Sequence, residues 1–264
     1  MQRISDILGY KFIDIHSHFD HGVEGDAGYI RNPNKKNVQL ADIDSLMREY
    51  DRIGIECGAY STYSAVLSTA RIPEENDYLH ELVKKRVRMR QWVVVHPEME
   101  ETFRQVDRMR ESELVLGIKI HSPCHGYPIL EHCDKIFSFA NERSLTVQMH
   151  PDHITDMPAV CDRYPNMRLI IAHVGNEDFV QAVKKSKAEN IFLDTSGGDS
   201  ALNNVIEYAV KALGAEKILF GTDTYSSAFQ AGRIAFAGIS EREKRLILRD
   251  NAIRMFPWAF SDKK

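Results

Sequence analysis

Eight short apolar runs, each followed by an amphipathic stretch, constrain this chain more than any other feature. The runs are residues 12–19, a segment starting near Ile55, then 91–96, 116–122, 145–150, 168–174, 191–196 and 217–224. The stretch 38–53 puts Leu40, Ile43, Leu46, Met47 and Tyr50 on one helical face. Pro73, a favourable first-turn residue, opens the next helix. Further helical spacing covers about 98–113, 129–143, 154–164, 176–189 and 201–213, with a last region over 228–254. Runs such as Leu169-Ile170-Ile171-Ala172 are apolar on both faces, which suits a parallel sheet covered by helices. Eight such units in 264 residues predict an α/β chain with one domain over 1–264, a single closed (β/α)8 TIM barrel. A doubly wound open sheet is the alternative.

Composition removes other classes. Apolar residues at 43% and charged residues at 27% exclude a disordered chain. A net charge of −4 offers no basic excess for nucleic acid or acidic lipid, so neither is an expected partner. The four Cys form no Cys-x-x-Cys pair, against a zinc ribbon or a thioredoxin-like site. No apolar run approaches ~18 residues, and the N-terminus lacks a signal-peptide core. The expectation is a soluble, reduced, cytoplasmic protein.

The strand ends carry the chemistry. In such a barrel, polar residues at the C-terminal ends of strands share one cavity. Strand 1 reads Phe-Ile-Asp-Ile-His-Ser-His-Phe. Alternation puts His16 and His18 on one face with Asp14 deeper, and sends Ile13 and Ile15 toward the helices. Strand 4 carries Lys119 and His121, strand 5 ends at His150, strand 6 at His173 and strand 8 at Asp223. With His96 on strand 3, six of the eleven His sit at predicted strand ends, where chance would scatter them. Imidazoles with a carboxylate are a ligand set for zinc and similar divalent ions.

At this point the chain resembles the amidohydrolase superfamily, in its amidohydrolase-2 branch. The resemblance runs from Ile13 to Phe256. It is carried by Ile-Asp-Ile-His-Ser-His at 13–18, Gly-Ile-Lys-Ile-His at 117–121 and Val-Gln-Met-His at 147–150. It continues through Ile-Ala-His-Val-Gly at 171–175, Phe-Leu-Asp-Thr-Ser at 192–196, Ile-Leu-Phe-Gly-Thr-Asp at 218–223 and Asp-Asn-Ala-Ile-Arg-Met-Phe at 250–256. One motif per strand, in this order, is specific although no single motif is.

The resemblance implies that His16, His18, His150 and Asp223 hold one divalent metal, zinc in the first place and manganese as the alternative. Asp223 would be catalytic, His173 would be catalytic, a support behind the ligands or a ligand in a two-metal variant, and Lys119 and His121 would face a small-molecule substrate. Such an ion lowers the pKa of a bound water toward about 7 and supplies a nucleophile. Asp223 would act as general base, and His173 and Lys119 would stabilise an oxyanion. Relatives with two metals use a carboxylated Lys or a Glu on strand 4. Lys119 stands near that place, but His121 follows it on the same face, and the resemblance favours one metal. The absence of a strand-4 Glu argues against phosphodiester substrates. The expected activity is hydrolysis of an amide or lactone. A metal-dependent decarboxylase and a non-catalytic metal- or ligand-binding barrel are the alternatives. Relatives are often dimers or larger, so the resemblance leaves a homo-oligomer, a dimer, open.

Simpler roles stand beside these. Asp223 can cap the segment after it, Lys119 can sit in an ion pair, and His121 can be a loop residue. Asp14 and Asp194 read as supports and His96 as structural. His21, His125 and His153 are unassigned, and His80 and His132 lie on helices. Substrate preference is expected from loops 20–36, 58–72 and 122–128, where Tyr29, Arg31, Tyr60, Tyr63, Arg71 and Tyr127 are candidates.

Overall fold

The computed structural model describes residues 2–20 and 42–260. Eight parallel strands follow one another in chain order: β1 (Phe12–Phe19), β2 (Ile55–Thr62), β3 (Met89–Val94), β4 (Val115–Ile120), β5 (Thr146–Met149), β6 (Arg168–Ile171), β7 (Ile191–Asp194) and β8 (Ile218–Leu219). The last strand returns to the first. Ile15 N–H donates to the Phe220 carbonyl at 2.9 Å, His18 N–H to that of Asp223 at 3.2 Å, and Ser17 bridges to Asp223. With helices interleaved between strands, this is a (β/α)8 TIM barrel.

The helices start where local chemistry lets them. Asp42 accepts the Ser45 N–H at 2.8 Å and caps the helix Ile43–Ile53, while residues 38–41 of the expected stretch, Leu40 among them, lie outside the described residues. Gly54 ends it with φ 102°, a conformation that disfavours a side chain. Pro73 lies in the first turn of Ile72–Lys85. The region 228–254 is not one helix. Ser240 and Glu243 form a reciprocal cap that starts a new helix, Glu241–Arg245, after Ser227–Ala235. The loops after β2 and β4 each hold a short helix, Tyr63–Leu67 and Ser122–His125. No described helix is long and apolar enough to cross a membrane.

Two apolar layers divide the strand residues. Val93, Ile118, Ile171 and Ile218 pack with helix residues such as Leu79, Phe137 and Phe179. Their strand neighbours Trp92, Ile170 and Leu219 pack inside the barrel with Phe256 and Phe260 from the C-terminal segment. Ile13 and Ile15 belong to this inner cluster, not to the helical shell. The simple alternation of strand 1 is therefore wrong, and a bulge is the reason. The β1–β2 register shifts between Asp14 and Ser17, and one inserted residue reverses which face each side chain meets. Asp14 consequently faces the opposite side from His16. It accepts the hydroxyl of Tyr50 and, at 2.5 Å, that of Thr222, tying β1 to the segment after β8. Burial pushes its carboxyl up to about 7.

Candidate metal centre

The bulge brings His16 and His18 together with Asp223. The Nε2 atoms of the two rings are 3.2 Å apart, and Asp223 Oδ1 is 3.6 Å from His18 Nε2. All three candidate ligand atoms lie within 4.8 Å of one another. Asp223 reaches this place because its backbone is left-handed, with φ 59°. Its N–H donates to the His16 carbonyl at 2.6 Å, so chain closure and site assembly are one event. His173 also has a left-handed backbone, with φ 64°. Such conformations are uncommon for non-glycine residues and cluster at functional sites.

The protons decide what the rings can do. His16 Nδ1 lies 2.9 Å from Asp194 Oδ2, and His18 Nδ1 lies 3.0 Å from the Ser61 carbonyl. Both partners are acceptors, so both Nδ1 atoms carry hydrogen and both Nε2 atoms are bare lone pairs. Burial pushes both pKa values below the usual histidine range; Lys119 adds to it at His16 against the pull of Asp194, and the His16 ring and Lys119 add to it at His18. Neutral imidazoles with converging lone pairs and a carboxylate beside them are what a divalent cation requires. Each ring's other nitrogen is held by an oxygen, as is usual for metal-binding histidines. The residues therefore fit the group.

His16, His173 and Asp194 form a second close triad. Its carboxylate is already saturated. Asp194 Oδ1 accepts the backbone N–H groups of His173 and Ser196 at 3.2 and 2.9 Å and the Ser196 hydroxyl at 2.5 Å, while Oδ2 takes the His16 ring. Asp194 is a support, as expected.

Lys119 is buried and makes no ion pair among the described residues. Its Nζ lies 3.0 Å from His16 Nε2. Burial lowers it to about 8, against the pull of Asp194 and Asp223. His121 accepts the Cys124 N–H at 3.3 Å through Nδ1 and so caps the helix Ser122–His125, while its ring stacks on His150 at 3.9 Å. Burial, then Lys119, pushes His121 down to about 3. His150 stands outside both close triads, with its ring centre 5.0 Å from that of His173. His173 Nε2 is 3.9 Å from Asp223 Oδ2.

These groups line one side of a cavity of about 290 Å³. The other side is Tyr63, Val66 and Leu67 from the helix after β2, with Pro123 and Cys124 from the helix after β4. His125 Nε2 donates to the Ala65 carbonyl at 2.9 Å and joins the two helices. Of the loop candidates, Tyr63 lines this cavity, whereas Tyr60 and Tyr127 are buried elsewhere and Arg71 precedes the helix Ile72–Lys85. His21, Tyr29 and Arg31 lie outside the described residues. His96 is structural in its contacts, accepting the Glu98 N–H at 3.2 Å. Sequence reasoning missed Ser196, whose hydroxyl lies 2.8 Å from His16 Nδ1 and 2.9 Å from His173 Nδ1. The signal was its place two residues after Asp194, just past the end of β7. The apolar wall was missed because short helices inside loops leave no long periodicity.

A TIM barrel with two buried His and a half-buried Asp clustered at its strand ends defines the class. The amidohydrolase family model of the amidohydrolase-2 type matches residues 13–258, and the chain belongs to that family. A search of curated proteins finds no match. Among solved structures, the chain is similar to a dihydroxybenzoic acid decarboxylase from Polaromonas sp. JS666 with bound manganese and the inhibitor 2-nitroresorcinol. The identity is 19%, covering 96% of this chain and 98% of that one, with a TM-score of 0.72. An amidohydrolase from Burkholderia multivorans with bound zinc is 16% identical over 94% and 99%, with a TM-score of 0.72. A 5-carboxyvanillate decarboxylase from Sphingomonas paucimobilis is 15% identical over 94% and 99%, with a TM-score of 0.70. At these identities the likeness is one of fold.

Proposed function

We propose that this chain is a metal-dependent hydrolase acting on a small carbonyl compound, an amide or a lactone. The observation that carries the reading is the convergence of the bare Nε2 atoms of His16 and His18 with the Asp223 carboxylate. These three would hold one zinc or manganese ion. His150 faces the same cavity and would join them as the remaining protein ligand. When bound, such an ion supplies Lewis acidity and makes a coordinated water acidic near neutral pH.

The chain's own groups then have distinct tasks. Asp223 takes a proton from the attacking water and returns it to the leaving group, a role worth roughly 10²–10⁴ in rate. Lys119 points its ammonium into the same space and offsets negative charge that develops on the carbonyl oxygen. His173 completes the polar side beside Asp223. His121, stacked on His150, orients the substrate. Val66, Leu67 and Pro123 exclude water from the opposite side and pack an apolar substrate body.

Decarboxylation is the second reading. It is favoured by the fold-level likeness to the dihydroxybenzoic acid and 5-carboxyvanillate decarboxylases, and by the apolar wall, which suits a ring. Lys119 would then hold the substrate carboxylate as a point charge, and a site acid would protonate the carbanion.

Metal analysis and turnover in ¹⁸O-water separate these readings, with protein loaded with zinc or manganese and given a panel of lactones, amides and aromatic acids. Hydrolysis puts ¹⁸O into the product. Release of CO2 without it sinks the hydrolase reading and supports the second. Bound metal with no turnover on any class leaves a binding protein.

A further inference from the structure

One hydroxyl touches three side chains of the site. Ser196 Oγ is fully buried and lies 2.5 Å from Asp194 Oδ1, 2.8 Å from His16 Nδ1 and 2.9 Å from His173 Nδ1. A hydroxyl has one hydrogen to give and two lone pairs to offer. The carboxylate decides where the hydrogen goes. Its oxygens receive two backbone N–H groups and a ring N–H, so it is an ionised acceptor with no hydrogen of its own. Two oxygens 2.5 Å apart with no hydrogen between them would repel. The Ser196 hydrogen therefore lies on the line to Asp194. Both its lone pairs then face ring nitrogens, and those nitrogens must bring the hydrogens.

We propose that Ser196 is a positioning residue that locks His173 in the Nδ1–H tautomer, while it also accepts from His16, whose Nδ1–H Asp194 holds independently. Each ring then presents a bare Nε2 to the cavity. This deepens the metal-centre reading and rests on it only for the consequence. For His16, the bare nitrogen is the ligand atom, in agreement with the Lys119 ammonium aimed at it from 3.0 Å. For His173, it makes the ring an acceptor toward whatever it faces. Held in this tautomer, His173 Nε2 does not donate to a carbonyl oxygen, which leaves Lys119 as the oxyanion donor of this pair.

The two rings differ in what else holds them. His16 Nδ1 also has Asp194 Oδ2 at 2.9 Å. His173 Nδ1 has Ser196 as its hydrogen-bond partner and Gly197 packed against it. A Cβ built at Gly197, where φ is +78°, would come within 2.3 Å of that nitrogen. Loss of the hydroxyl should free His173 and spare His16.

Long-range ¹H–¹⁵N NMR of the full chain with labelled imidazoles tests this without any substrate. In the metal-free wild type, both residues are expected as Nδ1–H. Ser196→Ala should turn His173 largely to Nε2–H and leave His16 unchanged. Ser196→Cys, which fills the space with a weak acceptor, should do the same. Zinc or manganese titration of either variant should show affinity reduced by no more than about tenfold, the low end for a supporting group. An Nε2–H His173 in the wild type, or an unmoved His173 in Ser196→Cys, overturns the lock. The wild-type spectrum decides even where a variant does not fold. Locked tautomers in a protein that takes up neither metal would overturn the metal reading and leave that of Ser196 standing.

Discussion

His16 Nε2 and His18 Nε2 face each other across 3.2 Å, each with its ring hydrogen on the far nitrogen. Two bare nitrogens at that separation repel unless positive charge stands beside them. Lys119 Nζ, 3.0 Å from the first, is such a charge, and a divalent ion is a stronger one. The bulge in β1 creates the relationship, because it turns both rings inward while Ile13 and Ile15 fill the barrel below.

Removing both rings should empty the centre. His16→Ala combined with His18→Ala is expected to reduce bound metal from about one per chain to near zero, measured by elemental analysis after dialysis against zinc or manganese. Both rings are fixed by acceptors on the far nitrogen, so each is a preorganised donor whose loss leaves too few ligands. Stoichiometric metal in the double variant would refute the assignment.

Asp223→Asn keeps the shape and removes the charge. Divalent-ion affinity should drop by more than the roughly 10–100-fold seen for groups that act from behind a ligand. Titration calorimetry measures it. An affinity within a factor of about three of wild type would show that Asp223 only caps the segment after it.

Asp194→Asn should destabilise the fold as well as the site. One carboxylate accepts two backbone N–H groups, a ring N–H and a hydroxyl, and an amide nitrogen in place of either oxygen would meet donors. A buried network broken in this way loses about 3 kcal/mol or more. For a chain of this size that is roughly 6–12 °C in Tm. Scanning calorimetry on the metal-free protein reads it, and a shift under about 2 °C would contradict the saturated role given to Asp194.

Acid should weaken the metal-free protein below the ordinary histidine range. Burial pushes His121 down to about 3 and His125 to about 4. Between those values and about 6.5, the unfolded chain binds protons that the folded chain refuses, so stability falls as pH falls. Above about 6.5 both states are neutral and this contribution is flat. At pH 5 each ring should remove about 2 kcal/mol relative to pH 7. Urea unfolding at the two pH values measures the loss, and His125→Asn should lessen it. Equal midpoints would show that these rings protonate freely in the folded state.

The order of strands and the residues at their ends are local facts, and the sequence alone carried them. Continuous apolar runs mark buried parallel strands, and the His and Asp residues that end them need only the barrel rule to be placed in one cavity. What alternation could not supply was the parity of strand 1. One inserted residue between Asp14 and Ser17 exchanges the inner and outer faces, and a bulge is set by pairing with β2 and β8, not by the residues of β1 themselves. The short helices that form the apolar wall were equally hidden, because two turns or fewer leave no period to read. Ser196 is the clearest case. A serine just past a strand has no visible role until three partners, two of them more than 20 residues away in the chain, are brought to within 3 Å of its oxygen.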